Sequence, residues 1–392
     1  MRRHPLFLLI LAVLCAHFSF AAAPAPLPDG LYAEFITPRG TATAELFYTK
    51  APLMCVNFVG LAEGTLAPLN GKPFYTGLTW YRVVPGFVIQ SGNPGLKDTD
   101  DDQEAHPHRF PDEFVPGLRH DTAGTLSMAN AGPDTNSCEF FLTLRDTDRL
   151  DYLHSVFGRV VRGVEVLPLI KQDDPLTIKI IRVGAAAQAF KAGPAEFAAR
   201  RAAAKKYADA SGPAGHPTAQ PGPAAHFDDP GHLLPQEPPR AQYFNYKLAN
   251  FERVTGVRIV ARLFQKSPPP EEDKVPGAYM RGLAKKFGTD RRGAFLAYFA
   301  DEDDWRVWIG DESASAFLGR PATPADLGHE AALHDAKEAY FQAAAAQGDA
   351  DFAQQQHAAP PDKQPPPAQH LKLHVDALLD RLIQKLEPKS SQ

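Results

Sequence analysis

The chain has 392 residues, 44% of them hydrophobic and 22% charged, with a formal net charge of −5. That is enough apolar material for two or three domains with real cores. The acidic balance argues against a nucleic-acid partner, which a cationic surface would hold by its phosphates.

Residues 1–23 read as a secretory signal peptide: Arg2 and Arg3, an apolar run from Leu6 to Leu14, then small residues at Ala21, Ala22 and Ala23. The expectation is an exported protein of a bacterial periplasm or cell envelope. Losing Arg2 and Arg3 leaves 39 of the 41 basic residues against 46 acidic ones. The apolar run is too short to span a bilayer, and no membrane span follows it. Cys55 and Cys138 are then the mature cysteines, and the sequence leaves their pairing open.

Residues 27–184 read as a first domain, mainly β. Leu31 to Phe47 alternates around Pro38-Arg39-Gly40, as a hairpin does. Ala51-Pro52 opens an amphipathic helix through Met54, Phe58 and Leu61, with Gly64 just past its end. Strands are expected at 78–84, 87–90, 125–128, 140–144, 156–160 and 178–183, and a second short helix over Val164 to Ile170. Many short strands with few helices favour a closed antiparallel barrel, since closure removes exposed edges.

One stretch of this domain carries chemistry. In Tyr81 to Gly92 (YRVVPGFVIQSG) two β-branched runs flank Pro85-Gly86, the pair a type II turn wants, so Arg82 and Gln90 should meet on neighbouring strands. A cation among apolar residues needs a partner or a task. Taken with SMANAGPDTN at 127–136, Glu139-Phe140-Phe141 and LDYLHSVFGRV at 150–160, the stretch resembles the cyclophilin-type peptidyl-prolyl isomerases in order and spacing. The resemblance implies an eight-stranded barrel capped by two helices, no cofactor, no metal, and proline-containing polypeptides as substrates. It implies Arg82 as catalytic donor with Gln90 orienting it. Phe87, Val88, Phe141, Leu150 and His154 would wall a proline pocket, and Ala129, Asn130 and Glu139 would hold the peptide alongside.

The chain departs from the family pattern at Val88, where Met is frequent, and at Glu139, a carboxylate where an amide is usual. Arg149 replaces a frequent Trp. Glu139 is expected either to favour basic residues beside the proline or to pair with Arg82. A non-catalytic proline-peptide module, its C-terminal domain recruiting a partner, is the alternative reading. The acidic stretch Asp98 to Glu104, with His106 and His108, lacks the glycine and terminal glutamate of a calcium loop and reads as solvated.

Residues 185–240 form an Ala-rich helix and a linker with eight prolines between Ser211 and Pro239. Residues 241–348 read as a smaller α/β domain: Phe244, Leu248 and Phe251 at helical spacing, a strand from Val257, a helix to Phe287, then a strand pair around Asp301–Asp304. Phe287 to Glu312 resembles TPM domains of exported or membrane-tethered proteins, which implies a fold and no catalytic residue; its partner is not identified. A Gln/Pro-rich spacer (349–369) and an amphipathic helix (370–387), with Leu371, Val375, Leu378, Leu379, Leu382 and Leu386 on one stripe, complete the chain.

Overall fold

Leu31, Ala33 and Phe35 alternate along β1 (Gly30–Thr37) and all three enter a core, the pattern of a strand with one buried face. The same rule places β2 (Gly40–Leu46), β3 (Arg82–Val84), β4 (Val88–Ser91), β5 (Thr125–Met128), β6 (Phe140–Thr143), β7 (Val156–Arg162) and β8 (Thr177–Val183) in one sheet of order β3-β4-β6-β5-β7-β2-β1-β8. Every pairing in it is antiparallel. Residues 25–66, 72–94, 109–204, 224–238, 240–327 and 331–389 are described by this computed structural model.

The expected closed barrel is instead an open, curled sheet. Its end strands β3 and β8 do not pair with each other. The seam holds one isolated bridge, Thr79 to Pro175, with backbone bonds from Trp80 N to Asp174 O (3.1 Å) and Leu176 N to Leu78 O (3.0 Å). β3 is only three residues long, and Pro175 has no N–H to continue a ladder.

α1 (Pro52–Glu63) forms where expected, with Pro52 at its first turn and Gly64 closing it at φ 74°. It is not the amphipathic cap expected, because every residue from Leu53 to Leu61 is buried. The sheet's aromatic core takes one side, with Phe58 against Phe140 at 5.2 Å and Phe157 at 5.3 Å; α3 (Pro194–Ala203) packs on another. The second helix is a 3₁₀ segment over Val164–Leu169, since Pro168 within it withholds an N–H. The Ala-rich extension divides into α2 (Gly184–Ala189) and α3. Cys55 and Cys138 are buried free thiols, and burial pushes the Cys55 thiol up.

The second module is built on a four-stranded sheet, β12-β11-β10-β9. β9 (Phe227–Asp228) lies in the stretch assigned to the linker, yet Phe227 and Leu234 belong to this module's core. α4 (Arg240–Thr255) precedes β10 (Arg258–Phe264); α5 (Ala278–Lys286) crosses to the parallel β11 (Gly293–Phe299), and β12 (Asp304–Ile309) returns antiparallel. After α6 (Ala314–Leu318), α7 (Pro324–Leu327) begins with a reciprocal cap, Thr323 N to the Asp326 carboxylate at 2.7 Å and Asp326 N back to Thr323 Oγ1 at 3.3 Å. α8 (Ala331–Ala358) runs through half of the expected spacer, since its Ala and Gln residues are good helix formers. α9 (Pro367–Leu386) buries Val375, Leu378, Leu379, Leu382 and Leu386 in the module's own core, so its apolar stripe is a docking face. Among the described residues no helix is long and apolar enough to cross a membrane.

Candidate active site

The strands that carry Ile89, Phe140 and Leu142 into the core turn Val88, Gln90 and Phe141 onto the opposite face, and the candidate site is built there. Pro85-Gly86 does reverse the chain: Phe87 N donates to Val84 O at 3.0 Å and Gly86 takes φ 68°, open to glycine without strain. The turn fixes the register Arg82 to Gln90. Arg82 is exposed, and its Nη1 donates to Gln90 Oε1 at 3.1 Å.

Glu139 holds the other end of Gln90. The Gln90 amide donates to Glu139 Oε2 at 2.7 Å, Tyr81 OH donates to the same oxygen, and Asn93 Nδ2 reaches Oε1 at 3.2 Å. The expected Glu139–Arg82 pairing is therefore not formed: Glu139 fixes Gln90, which faces Arg82. Gly92 allows this close approach at φ 100°, because a Cβ there would lie 2.4 Å from Cys138 O. Asn130, on the far side, donates to Leu153 O at 2.8 Å and so joins the two loops that flank the site. Ala129, Asn130, Glu139, Gln90 and Arg82 line one cavity of about 290 Å³.

Phe141 and Val88, expected as pocket walls, are 4% and 3% exposed and line neither cavity: they lie behind the side chains that do. Phe141 stacks on His120 at 5.8 Å and meets the His154 ring edge-on at 5.3 Å. His120 is fully buried, bonded through Nδ1 to Asp151 (2.8 Å) and Nε2 to Ser127 Oγ (3.0 Å). The sequence reading missed this support; a lone histidine at position 120 has no spacing that marks it. His154 Nδ1 bonds Met128 O at 3.0 Å, so Nδ1 carries the proton. Burial and the neighbouring His120 push His154 down to about 4, against the opposing pull of Met128 O.

The remaining wall is mounted on the second module. Leu150 and His154 stand on the segment 148–154, and that segment is held by distant residues: Asn250 Nδ2 to Tyr152 O (2.8 Å), Lys247 Nζ to Asp148 O (3.2 Å) and Gln384 Nε2 to Asp148 Oδ2 (2.6 Å). Tyr152 packs its ring on Phe251 at 5.2 Å and donates its hydroxyl to Glu387, which also takes Arg119 Nη2 at 2.7 Å. Arg149, seen in the sequence only as a departure, lays its guanidinium 4.3 Å from the Phe87 ring centre. Arg82, Phe87, Arg149, Leu150 and His154 thereby share a cavity of about 500 Å³ with Tyr243 and Lys247 of α4 and Gln369 and Lys372 of α9.

Asp301–Asp304 has protein partners instead of an open ligand set: Arg306 binds Asp304 at 2.6 Å, Ser267 N binds Asp301 at 2.8 Å and Tyr298 OH binds Asp303 at 2.8 Å. The Asp98–His108 stretch lies outside the described residues.

The family model for the cyclophilin type peptidyl-prolyl cis-trans isomerase/CLD matches residues 32–185. The peptidyl-prolyl cis-trans isomerase-like 1 of Neurospora crassa is 39% identical over 153 residues, 37% of this chain and 88% of that protein. Peptidyl-prolyl cis-trans isomerase ppi1 of Schizosaccharomyces pombe is 42% identical over 146 residues, 36% of this chain and 86% of that one. A solved Cryptosporidium parvum cyclophilin-type isomerase, crystallised in the presence of the dipeptide Ala-Pro, matches 39% of this chain and 99% of its own at 29% identity, with a TM-score of 0.32.

Proposed function

The chain belongs, through residues 32–185, to the cyclophilin-type peptidyl-prolyl isomerases, and we propose that it turns X-Pro bonds in a cleft shared by its two modules. Rotation about an X-Pro bond breaks amide resonance, a barrier of about 18–20 kcal/mol, and makes no new bond. No nucleophile is needed. The site has only to bind the twisted amide better than either planar isomer.

Arg82 supplies the donors: one Nη is held by Gln90 while the rest of the fork faces the cavity, where it donates to the substrate carbonyl and towards the pyramidal prolyl nitrogen. Phe87, Leu150 and His154 take the proline ring, with Phe141 packed behind His154. Asn130 and the backbone at Ala129 hold the peptide on the other side. The observation that carries this reading is the chain of bonds from Arg82 through Gln90 to Glu139, which fixes a guanidinium at the mouth of an aromatic pocket.

The second module refines the substrate class. Lys247 and Lys372 in the shared cleft are neutralised by Asp380 and Asp376, which leaves Arg82, Arg149 and Arg240 as its cations and suits clients with acidic residues beside the proline. The sequence of residues 1–23 supports exported clients.

The test is the cis-to-trans rate of an Ala-Pro peptide with the full chain and with Arg82→Ala. The expected outcome is acceleration by the first and a loss of about 100-fold or more in kcat/KM in the second, as for removal of a transition-state donor. Binding without acceleration in the unaltered chain would make the cleft a recognition site for proline segments.

A further inference from the structure

We propose that His370, His374 and Asp349 form a binding site for one divalent transition-metal ion of the Zn²⁺ class, bridging α8 and α9. His370 and His374 stand one turn apart on α9 and so project from the same face. Asp349 comes from the neighbouring α8, and its Oδ1 lies 2.7 Å from His370 Nε2 and 2.9 Å from His374 Nε2. All three ligand atoms fall within 4.8 Å of one another.

Zinc holds imidazole nitrogen and carboxylate oxygen at about 2.0–2.2 Å, which at the tetrahedral angle separates ligand atoms by about 3.3 Å. The two spacings to Asp349 need only about half an ångström of opening, and these exposed side chains have room to give it. Asp349 is 61% exposed, His370 40% and His374 20%, which leaves solvent access for a water as fourth ligand.

A second observation comes from the facing helix. Gly348 lies inside α8, where glycine costs about 1 kcal/mol relative to alanine. A Cβ at that position would lie 2.2 Å from His374 Cδ2 and 3.0 Å from its Nε2. The helix thus carries its weakest residue where the second imidazole must lie against it. The Phe352 ring, 4.7 Å from His370, packs beside the first.

In the metal-free cluster each ring that donates to Asp349 carries its proton on Nε2. Binding moves that proton to Nδ1 and gives the Nε2 lone pair to the metal. The same helices carry Gln355 and Gln369, bonded to each other at 3.0 Å and both on the cleft wall, so a bound ion would tie the hairpin beside the substrate.

The test titrates Zn²⁺ into the metal-free full chain by calorimetry, beside His370→Ala, His374→Ala and Gly348→Ala. Far-UV circular dichroism checks each fold; alanine suits the two histidine positions on α9. The expected result is one equivalent whose affinity drops at least about 100-fold in either histidine variant, a larger loss than outer-shell changes give. Gly348→Ala, with all three ligands present, should weaken it too, and Co²⁺ should give tetrahedral d–d absorption in the unaltered chain and in neither histidine variant. Absence of Zn²⁺ uptake, or uptake in both histidine variants equal to that of the unaltered chain, as binding at Asp98–His108 would give, overturns the proposal.

Discussion

The two sides of the cleft are held in different ways. On the Arg82 side, a hairpin sets Arg82 opposite Gln90 eight residues on, and Glu139, immediately before β6, fixes Gln90. On the Leu150–His154 side, the segment is clamped by Lys247, Asn250, Gln384 and Glu387, residues roughly a hundred or more positions away. The Arg82–Gln90 pair is therefore a property of one hairpin within the first module, and the wall that faces it is held by the second module. Stability of that module and shape of the pocket become one variable.

The strongest way to break this asymmetry is Lys247→Ala. Lys247 is 1% exposed, paired with Asp380 and bonded to Asp148 O, so its removal strands a buried carboxylate at a cost of about 3–5 kcal/mol. Urea unfolding should show it, with activity falling alongside. Burial already pushes the Asp380 carboxyl up, against the opposing pull of Lys247. A carboxylate whose pKa is raised on folding binds more protons in the native state, so its contribution is lost as pH rises through the folded value. The defect should be deeper at pH 8.5 than at pH 6; equal defects at both would separate Asp380 from the effect.

Glu139→Gln sharpens the other half. It keeps the shape and removes the charge that Gln90 and Tyr81 address, so kcat should fall roughly fivefold, equivalent to about 1 kcal/mol, with KM unchanged. The preference between acidic and basic peptides should stay as it is, since Glu139 acts through Gln90. A changed charge preference would place Glu139 against the substrate instead.

Arg149→Gln tests the module-held wall at its rim. The ratio of kcat/KM for Glu-flanked over Lys-flanked proline peptides should fall by roughly threefold, the scale of a partly screened charge pair. An unchanged ratio would remove Arg149 from client selection.

The smallest effect expected is on pH. With His154 pushed down to about 4, kcat/KM should show no histidine break between pH 6 and 8. A native pKa below the unfolded 6.5 gives a stability contribution that is present above 6.5 and lost as pH falls towards 4. His154→Gln should flatten that part of the unfolding profile.

The sequence by itself determined what depends on neighbours along the chain. Alternation, the Pro85-Gly86 turn and the caps at Pro52 and Thr323 are short-range, and the turn set Arg82 opposite Gln90, whereas Phe141 and Asn130 were named only through the family resemblance. Tertiary structure alone decided whether the sheet closed, because that turns on a three-residue edge strand meeting Pro175 at the seam. It decided that α1 would be buried all round and that α9 would dock on its own module, since amphipathicity is defined only by what packs on the other face. It also decided that Tyr243, Lys247 and Lys372 would stand in the cleft. Contacts closed over a hundred residues leave no local pattern to read, and a buried lysine inside a helical stripe looks like any other until its partner is folded against it.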